Sequence, residues 1–344
     1  MNLKLYIIGA VTAVILSVLL TPMIRKFAFY IKVVDIPKDK RKIHKKPIPL
    51  LGGLAIYISF VISLILKKGA LTLEEVGIIL GSTVIVIGGF IDDKYNLSPI
   101  KKIIFQLSSA ICLIVFGLKI KFITNPFYSS ILYVDLKFLS IPITIVWVIG
   151  ITNALNLIDG LDGLAAGVAL ISSITMFVIS ILNSRWEAAI LTSILSGAIL
   201  GFLPYNFNPA SIFMGDTGSQ LLGFLLSAIS IEGAIKSATA FAVVVPILAL
   251  GLPIYDTLFA MIRRKINGKP IMQADRGHLH HRLLDMGLNQ KQVVIIMYFI
   301  SAILGSFAIL AMQISNQKAY FLLAVVMTII ILAAWKCGFF SHKE

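Results

Sequence analysis

Apolar residues run through this chain in long blocks, not in the three-or-four-residue rhythm of a helix that buries one face. About eleven blocks can be marked, most of them near the roughly 18–20 residues a helix needs to cross a bilayer. They fall at about 4–23, 51–67, 75–91, 102–118, 139–155, 163–182, 187–204, 218–232, 238–257, 291–312 and 319–335. The pattern predicts an all-α, polytopic integral membrane protein of about 11 transmembrane helices. The block at 218–232 is short; it either begins earlier, near Ile212, or lines a cavity instead of facing lipid. No internal repeat or low-complexity stretch divides the sequence, so residues 1–344 read as one helical membrane domain with a polar insert at about 258–290. Basic residues follow the first block, and no small-residue cleavage site stands out after it, so it reads as an uncleaved span.

Composition agrees. The chain is 58% hydrophobic and 13% charged, with a mean hydropathy of +0.95, where a soluble domain carries about 25% charged residues. A formal charge of +14 could suggest nucleic acid, but the basic residues fall in short loops between apolar blocks, which is how membrane proteins encode orientation. With the N-terminus outside, one set of loops comprises 24–50, 92–101, 156–162, 205–217, 258–290 and the C-terminal tail. With the residues at adjoining block ends, it holds about 21 of the 30 Lys and Arg. This set is expected to face the cytoplasm of a bacterial plasma membrane protein. Cys112 and Cys337 offer neither a disulfide framework nor a metal spacing and read as packing residues.

Only 16 acidic residues are present, so their positions carry information. Asp92, Asp93, Asp159, Asp162, Asp216 and Asp256 all fall at block ends on the cytoplasmic side. A carboxylate at a membrane boundary is costly unless paired, hydrated or cation-bound, and six at one side point to a shared polar cleft. Adjacent Asp92 and Asp93 suit a general base or a metal-facing pair, because like charges raise each other's pKa. In Asn153-Ala-Leu-Asn156-Leu-Ile-Asp159-Gly160-Leu-Asp162-Gly163 the polar residues recur every third position, then two glycines allow tight turns around Asp162. Such an oxygen-rich cluster suits Mg²⁺. In Asn206–Ser219, Asp216 precedes an apolar block, where it either caps a helix or holds a metal beside a phosphate at the helix start. Phe213 offers a flat face for a base. In Asp275-Arg276-Gly277-His278-Leu279-His280-His281-Arg282 no cysteine accompanies the histidines, so phosphate binding by Arg and His is preferred to zinc. The basic run Arg41–Lys46 before Pro47-Ile-Pro49-Leu-Leu-Gly52-Gly53 sets topology and leads into a shaped loop.

In this order, from about 38 to 290, these motifs resemble the polyprenyl-phosphate N-acetylhexosamine-1-phosphate transferases. The resemblance rests on Lys46–Gly53, Asp92-Asp93, Leu97-Ser-Pro99 with Lys102 and Gln106, Asn153–Gly163, Phe213–Ser219 and Arg276–Arg282. It implies transfer of a sugar-1-phosphate from a UDP-sugar to a polyprenyl phosphate, usually undecaprenyl phosphate, with release of UMP and dependence on Mg²⁺ (Mn²⁺ as a substitute). It implies a cytoplasmic active-site cleft and allows a homodimer; nucleic acid is not an expected partner. By the same resemblance Asp92 and Asp93 are the catalytic pair, and Asp216, with Asp159, the metal residues. Asn153, Asn156, Asp162, Asn206 and Phe213 line the nucleotide pocket, with Asp162 near the uracil. Lys46, Lys102, Arg276, His278, His280, His281 and Arg282 contact phosphates, Lys102 that of the lipid. The Arg-Gly-His-Leu-His-His-Arg string resembles the UDP-N-acetylglucosamine branch, which initiates teichoic-acid and other surface glycans, more than the branch that takes UDP-N-acetylmuramoyl-pentapeptide.

A secondary transporter predicts acids near mid-span and inverted repeats; neither pattern is visible. The Asp-Gly pairs resemble those of CDP-alcohol phosphatidyltransferases, but the Ala-Arg and later spaced aspartates of that family are missing after Asp159-Gly160. The repeated Asp-rich motifs of intramembrane prenyltransferases are missing too. Direct attack by the lipid phosphate is favoured over a covalent aspartyl intermediate, and Asp256, close to Pro253, is left without an assigned role.

Overall fold

The computed structural model describes residues 3–37, 47–124, 133–235, 244–268, 270 and 277–336. Lys46 and Arg276, both expected to contact phosphate, lie outside the described residues, as does Cys337. Helix α1 (Leu3–Tyr30) leads through a short antiparallel pair, β1 (Val34–Asp35) and β2 (Ile48–Pro49), into α2 (Gly52–Ile65), α3 (Leu73–Tyr95) and α4 (Pro99–Val115). A second small hairpin, β3 (Phe122–Thr124) and β4 (Tyr133–Asp135), precedes α5 (Ser140–Ile158), α6 (Leu164–Leu182), α7 (Trp186–Asn206) and α8 (Gly215–Ile235). The remainder is α9 (Val244–Ala249), α10 (Gly251–Ile266), α11 (Leu279–Asp285), α12 (Gln290–Gln313) and α13 (Asn316–Lys336).

Each apolar block is helical where it is described, but not every block makes a full span. Among the described residues, seven helical stretches are long and apolar enough to cross a membrane: Leu3–Tyr30, Leu73–Tyr95, Lys137–Ile158, Leu164–Leu182, Trp186–Asn206, Gln290–Gln313 and Gln317–Lys336. Helix α2 has 14 residues and α4 has 17. The block at 238–257 breaks at Leu250 between α9 and α10, flanked by Pro246 and Pro253, which lack the N–H a continuous helix needs. Helix α8 starts earlier than its apolar block, with Asp216, Thr217, Ser219 and Gln220 in its first two turns.

Helix α8 is the centre of the bundle. Leu221, Leu222, Phe224, Leu225, Leu226, Ala228 and Ile229 have no exposed surface, because α3 and α5 pack along it and α2 crosses it. Of the two readings of the 218–232 block, the earlier start is the one observed, at Gly215, and the helix that results is enclosed by protein. By contrast α1 leaves Ile7, Ile8, Val11, Ile15 and Leu19 exposed and α13 leaves Phe321, Ile329 and Trp335 exposed, an apolar exterior suited to lipid. The insert at 258–290 is not one loop: α10 continues to Ile266 and α11 forms within it.

Helix ends carry their own signals. Thr72 and Glu75 form a capping box at α3, and Asn289 and Gln292 form one at α12. The α2–α8 crossing depends on glycine: a Cβ on Gly53 would stand 2.2 Å from the Cα of Gly218. In return, Gly52 N–H and Gly53 N–H donate to the carbonyls of Phe213 and Met214 at 3.0 Å each, tying the start of α2 to the loop before α8. Replacing Gly53 by Val therefore forces α2 off α8. The expected cost is upwards of about 2 kcal/mol, read as a lower midpoint of thermal unfolding in detergent, with a matched loss at Gly218→Val.

Candidate active site

Successive helices run in opposite directions, so the last turns of α1, α3, α5 and α7 gather with the first turns of α2, α4, α6 and α8 at one end of the bundle. A cleft of about 2460 Å³, measured out to its open mouth, lies there. Asp92, Asp93, Asp159, Asp162 and Asp216 all line it, with Asn206, Phe213 and His281.

The two adjacent aspartates are not equivalent. Asp93 is spent on the start of α8: Oδ1 accepts from Asp216 N–H at 2.7 Å, and Oδ2 accepts from Thr217 N–H at 3.1 Å and Thr217 Oγ1–H at 2.6 Å. It is an N-cap supplied from another helix, satisfying donors that no intrahelical partner could. Gly215, at φ +71°, makes room for it, since a Cβ there would meet Asp93 Oδ2 at 2.5 Å. Asp92 instead accepts from Leu97 N–H at 2.7 Å, fixing the turn after α3, and its Oδ2 pairs with Lys102 Nζ.

Lys102 Nζ also donates to Asp216 Oδ2 at 2.6 Å, so one ammonium bridges two carboxylates of the cleft. Asp216 Oδ1 accepts from Asn156 Nδ2 at 2.6 Å, and Asn156 Nδ2 also reaches Ser219 Oγ at 2.9 Å. Behind this layer Asn153 and Gln106 exchange amide hydrogen bonds at 2.9 and 3.2 Å, and Gln106 continues to Gln220. Asn153 thus supports the cleft instead of lining it. The far wall is the segment between α7 and α8, held by Asp162 Oδ2, which accepts from Asn208 Nδ2 and Ala210 N–H at 3.0 Å each. Asn206 Nδ2 donates to Ile212 O in the same segment.

Asp159, just beyond α5, has no hydrogen-bond donor or cation on its carboxylate among the described residues. Burial pushes its pKa well above the usual carboxylate range, and the neighbouring Asp216, Asp93 and Asp162 add to the shift. A recessed carboxylate among other carboxylates is a seat for a cation. Among the described residues no group of three or more His, Cys, Asp or Glu closes on one point. The set fits an ion such as Mg²⁺, which takes one or two carboxylates and fills its shell with phosphate oxygens and water, with Asp159 and Asp216 as the protein's donors.

The histidine segment is only partly at the cleft. His281 lines it, while His278 and His280 are 4% and 1% exposed behind it. His280 packs so tightly on the turn after α5 that a Cβ on Gly160 would stand 2.4 Å from its Nε2. Arg282 turns back to donate to Gly277 O at 3.2 Å. The cleft also includes residues the sequence did not single out: Arg25 and Phe29 from the end of α1, Asn208 from the α7–α8 segment and Gln290 from the start of α12. Arg25 has no partner among the described residues, yet in sequence it is one more basic residue after a span.

Residues 76–234 match the glycosyl transferase family 4 profile. The chain is 38% identical to a Bacillus subtilis protein named a probable undecaprenyl-phosphate N-acetylglucosaminyl 1-phosphate transferase, over 98% of this chain and 93% of that one. This chain belongs to glycosyl transferase family 4. A Mycolicibacterium smegmatis decaprenyl-phosphate N-acetylglucosaminephosphotransferase is 33% identical over 86% of this chain and 79% of its own. A phospho-N-acetylmuramoyl-pentapeptide-transferase from Halalkalibacterium halodurans is 31% identical over 88% of this chain and 95% of its own. The residues that match the profile contain α3–α8 almost whole, so this glycosyl transferase family 4 member keeps Asp92, Asp93, Asn156, Asp159 and Asp216 inside the matched region, and the histidine segment beyond it.

Two outcomes follow from this geometry. Asp93→Ala strips three hydrogen bonds from α8 and should lower stability by about 2–3 kcal/mol, whereas Thr217→Val, which removes one, should cost about 1 kcal/mol; thermal unfolding in detergent compares them. His280 is the acid-sensitive group, because burial, with His281 next to it, lowers its pKa to about 3. Its native form stays neutral where the unfolded chain, with an ordinary histidine pKa near 6.5, takes up a proton. The stability this contributes is whole above about pH 6.5 and falls toward pH 3, by up to about 1.4 kcal/mol per unit. The acid limb of a pH–Tm curve should flatten in His280→Phe.

Proposed function

We propose that this protein transfers N-acetylglucosamine-1-phosphate from UDP-N-acetylglucosamine to a polyprenyl phosphate, undecaprenyl phosphate in bacteria, at the cytoplasmic face of the membrane. UMP leaves, and polyprenyl-diphosphate-N-acetylglucosamine is the product from which a surface glycan is built. The observation that carries this reading is the convergence of five carboxylates and Lys102 at one end of a membrane bundle, in a chain whose N-acetylglucosamine-type relatives align over most of its length. The cytoplasmic assignment is supported by the excess of Lys and Arg in the loops at that end.

Phosphoryl transfer asks a protein mainly for positioning and charge neutralisation. A lipid-phosphate oxygen attacks the sugar-linked phosphorus of the donor, a new P–O bond forms, and the P–O bond to UMP breaks. Lys102 can exchange its carboxylate partners for a phosphate oxygen, which frees Asp92 Oδ2 to orient the lipid phosphate or accept its last proton. Asp93, committed to α8, holds Asp216 in place. Phe213, Asn206 and the Asp162-pinned segment form the wall offered to the nucleotide, and His281 offers a donor to the diphosphate. Bound at Asp159 and Asp216, Mg²⁺ supplies Lewis-acid stabilisation of the charge that builds on the diphosphate.

Purified protein in detergent, given undecaprenyl phosphate, Mg²⁺ and radiolabelled UDP-N-acetylglucosamine, should move label to the lipid phase with release of UMP. Asp216→Asn and EDTA should each reduce the rate by roughly 100-fold or more. Transfer only from UDP-N-acetylmuramoyl-pentapeptide would reassign the branch, and transfer from neither would reject the activity. Because burial, with the neighbouring carboxylates, raises the pKa of Asp159, protons compete with a cation for it. The gain in Tm on adding Mg²⁺ should therefore grow as pH rises, and should shrink in Asp159→Asn.

A further inference from the structure

Asp256 and His278 form a buried pair that the reaction described above does not use. Asp256 is 5% exposed, stands in α10 and does not line the cleft. Its Oδ2 lies 2.7 Å from His278 Nδ1, and its Oδ1 accepts from Leu279 N–H, the first helical residue of α11, at 2.8 Å. A carboxylate on one helix thus caps the next and fixes the side chain beside the cap. Seven residues on, and so on the same face of α10, Arg263 Nη1 donates to Gly277 O at 2.8 Å. Gly277 is pressed against that guanidinium, where a Cβ would stand 2.1 Å from its carbon. Helix α10 therefore grips the 277–279 segment at three successive residues.

From this grip a stack of rings leads to the cleft. His278 and His280 lie parallel, 5.9 Å apart at 14°, and His280 and His281 pack at 4.2 Å and 44°. His281 ends the stack on the cleft wall. A seven-residue helix has too few backbone hydrogen bonds to hold its own orientation, so its placement comes from what grips it. We propose that Asp256 is a positioning residue for the donor diphosphate: by fixing His278 and the start of α11 it sets where His281 stands. This rests on the activity proposed above. Asp256 itself touches no substrate.

The test is steady-state kinetics in detergent, with KM measured separately for UDP-N-acetylglucosamine and undecaprenyl phosphate. It compares wild type, Asp256→Ala, His278→Ala, His281→Ala and the Asp256→Ala/His281→Ala double variant, each checked by thermal unfolding. Asp256→Ala and His278→Ala should raise the donor KM by roughly 10-fold and leave the acceptor KM within about twofold. The double variant should be no worse than His281→Ala, because the Asp256 effect passes through His281. Multiplying losses, an unchanged donor KM, or a change confined to the acceptor would overturn the proposal while leaving the activity standing. If Asp256→Ala does not fold, His278→Ala decides alone, since it keeps the Leu279 cap. A folded wild type that transfers from neither donor would instead reject the activity, and this role with it.

Discussion

The grip of Asp93 on the first turn of α8 is the constraint around which the protein is arranged. Helix α8 runs through the middle of the bundle with almost no exposed surface, and its polar first turns must end where the cleft begins. The backbone donors at a helix start need acceptors from outside the helix, and Thr217, in the first turn of α8, has no exposed surface. Asp93 supplies both oxygens from α3. Close approach follows, with glycine at the crossings: a Cβ on Gly89 would stand 2.5 Å from Thr217 Cα, and one on Gly53 would strike Gly218. The same contact that closes the core also fixes Asp216 relative to α3, so packing and site geometry are one arrangement.

Around that anchor the protein keeps a deliberate charge imbalance. Five carboxylates share one cleft, and Lys102 is bonded to two of them. Asp159 is left with no donor among the described residues, and burial, with the charge of its neighbours, raises its pKa. Carboxylates crowded in this way, with one cation shared between two of them, leave uncompensated negative charge in the cleft. Asn156, hydrogen-bonded to both Asp216 and Ser219, ties that carboxylate to the second turn of α8.

The cleft's two outer walls are held by means of their own. On one side Asp162 ties the α7–α8 segment through Asn208 and Ala210, and Asn208 passes the link to Gln290 at the start of α12. On the other, α10 holds the 277–279 segment through Asp256 and Arg263. Each wall is fastened by a carboxylate from a neighbouring element, Asp162 from the turn before α6 and the buried Asp256 from α10.

The apolar blocks and the turn residues between them determined, without any structure, that the chain is an all-α membrane protein and that its acids gather at one side. Hydrophobic run length is a local property, and so is the periodicity that placed Asn153, Asn156 and Asp159 together. Even the earlier start of α8 was legible as one of two readings, because the apolar block by itself is short for a span. What only the tertiary structure decided is partnership. Nothing in Asp92-Asp93 says that one carboxylate caps a helix 123 residues away while the other faces Lys102. Nothing in Arg-Gly-His-Leu-His-His-Arg says which histidine reaches the cleft, and Arg25 reads as a topology charge until α1 is seen ending at the site. Sequence spacing fixes which side of an element a residue occupies; hydrogen bonds between elements depend on how the helices cross, and that is settled by the packing of the whole bundle.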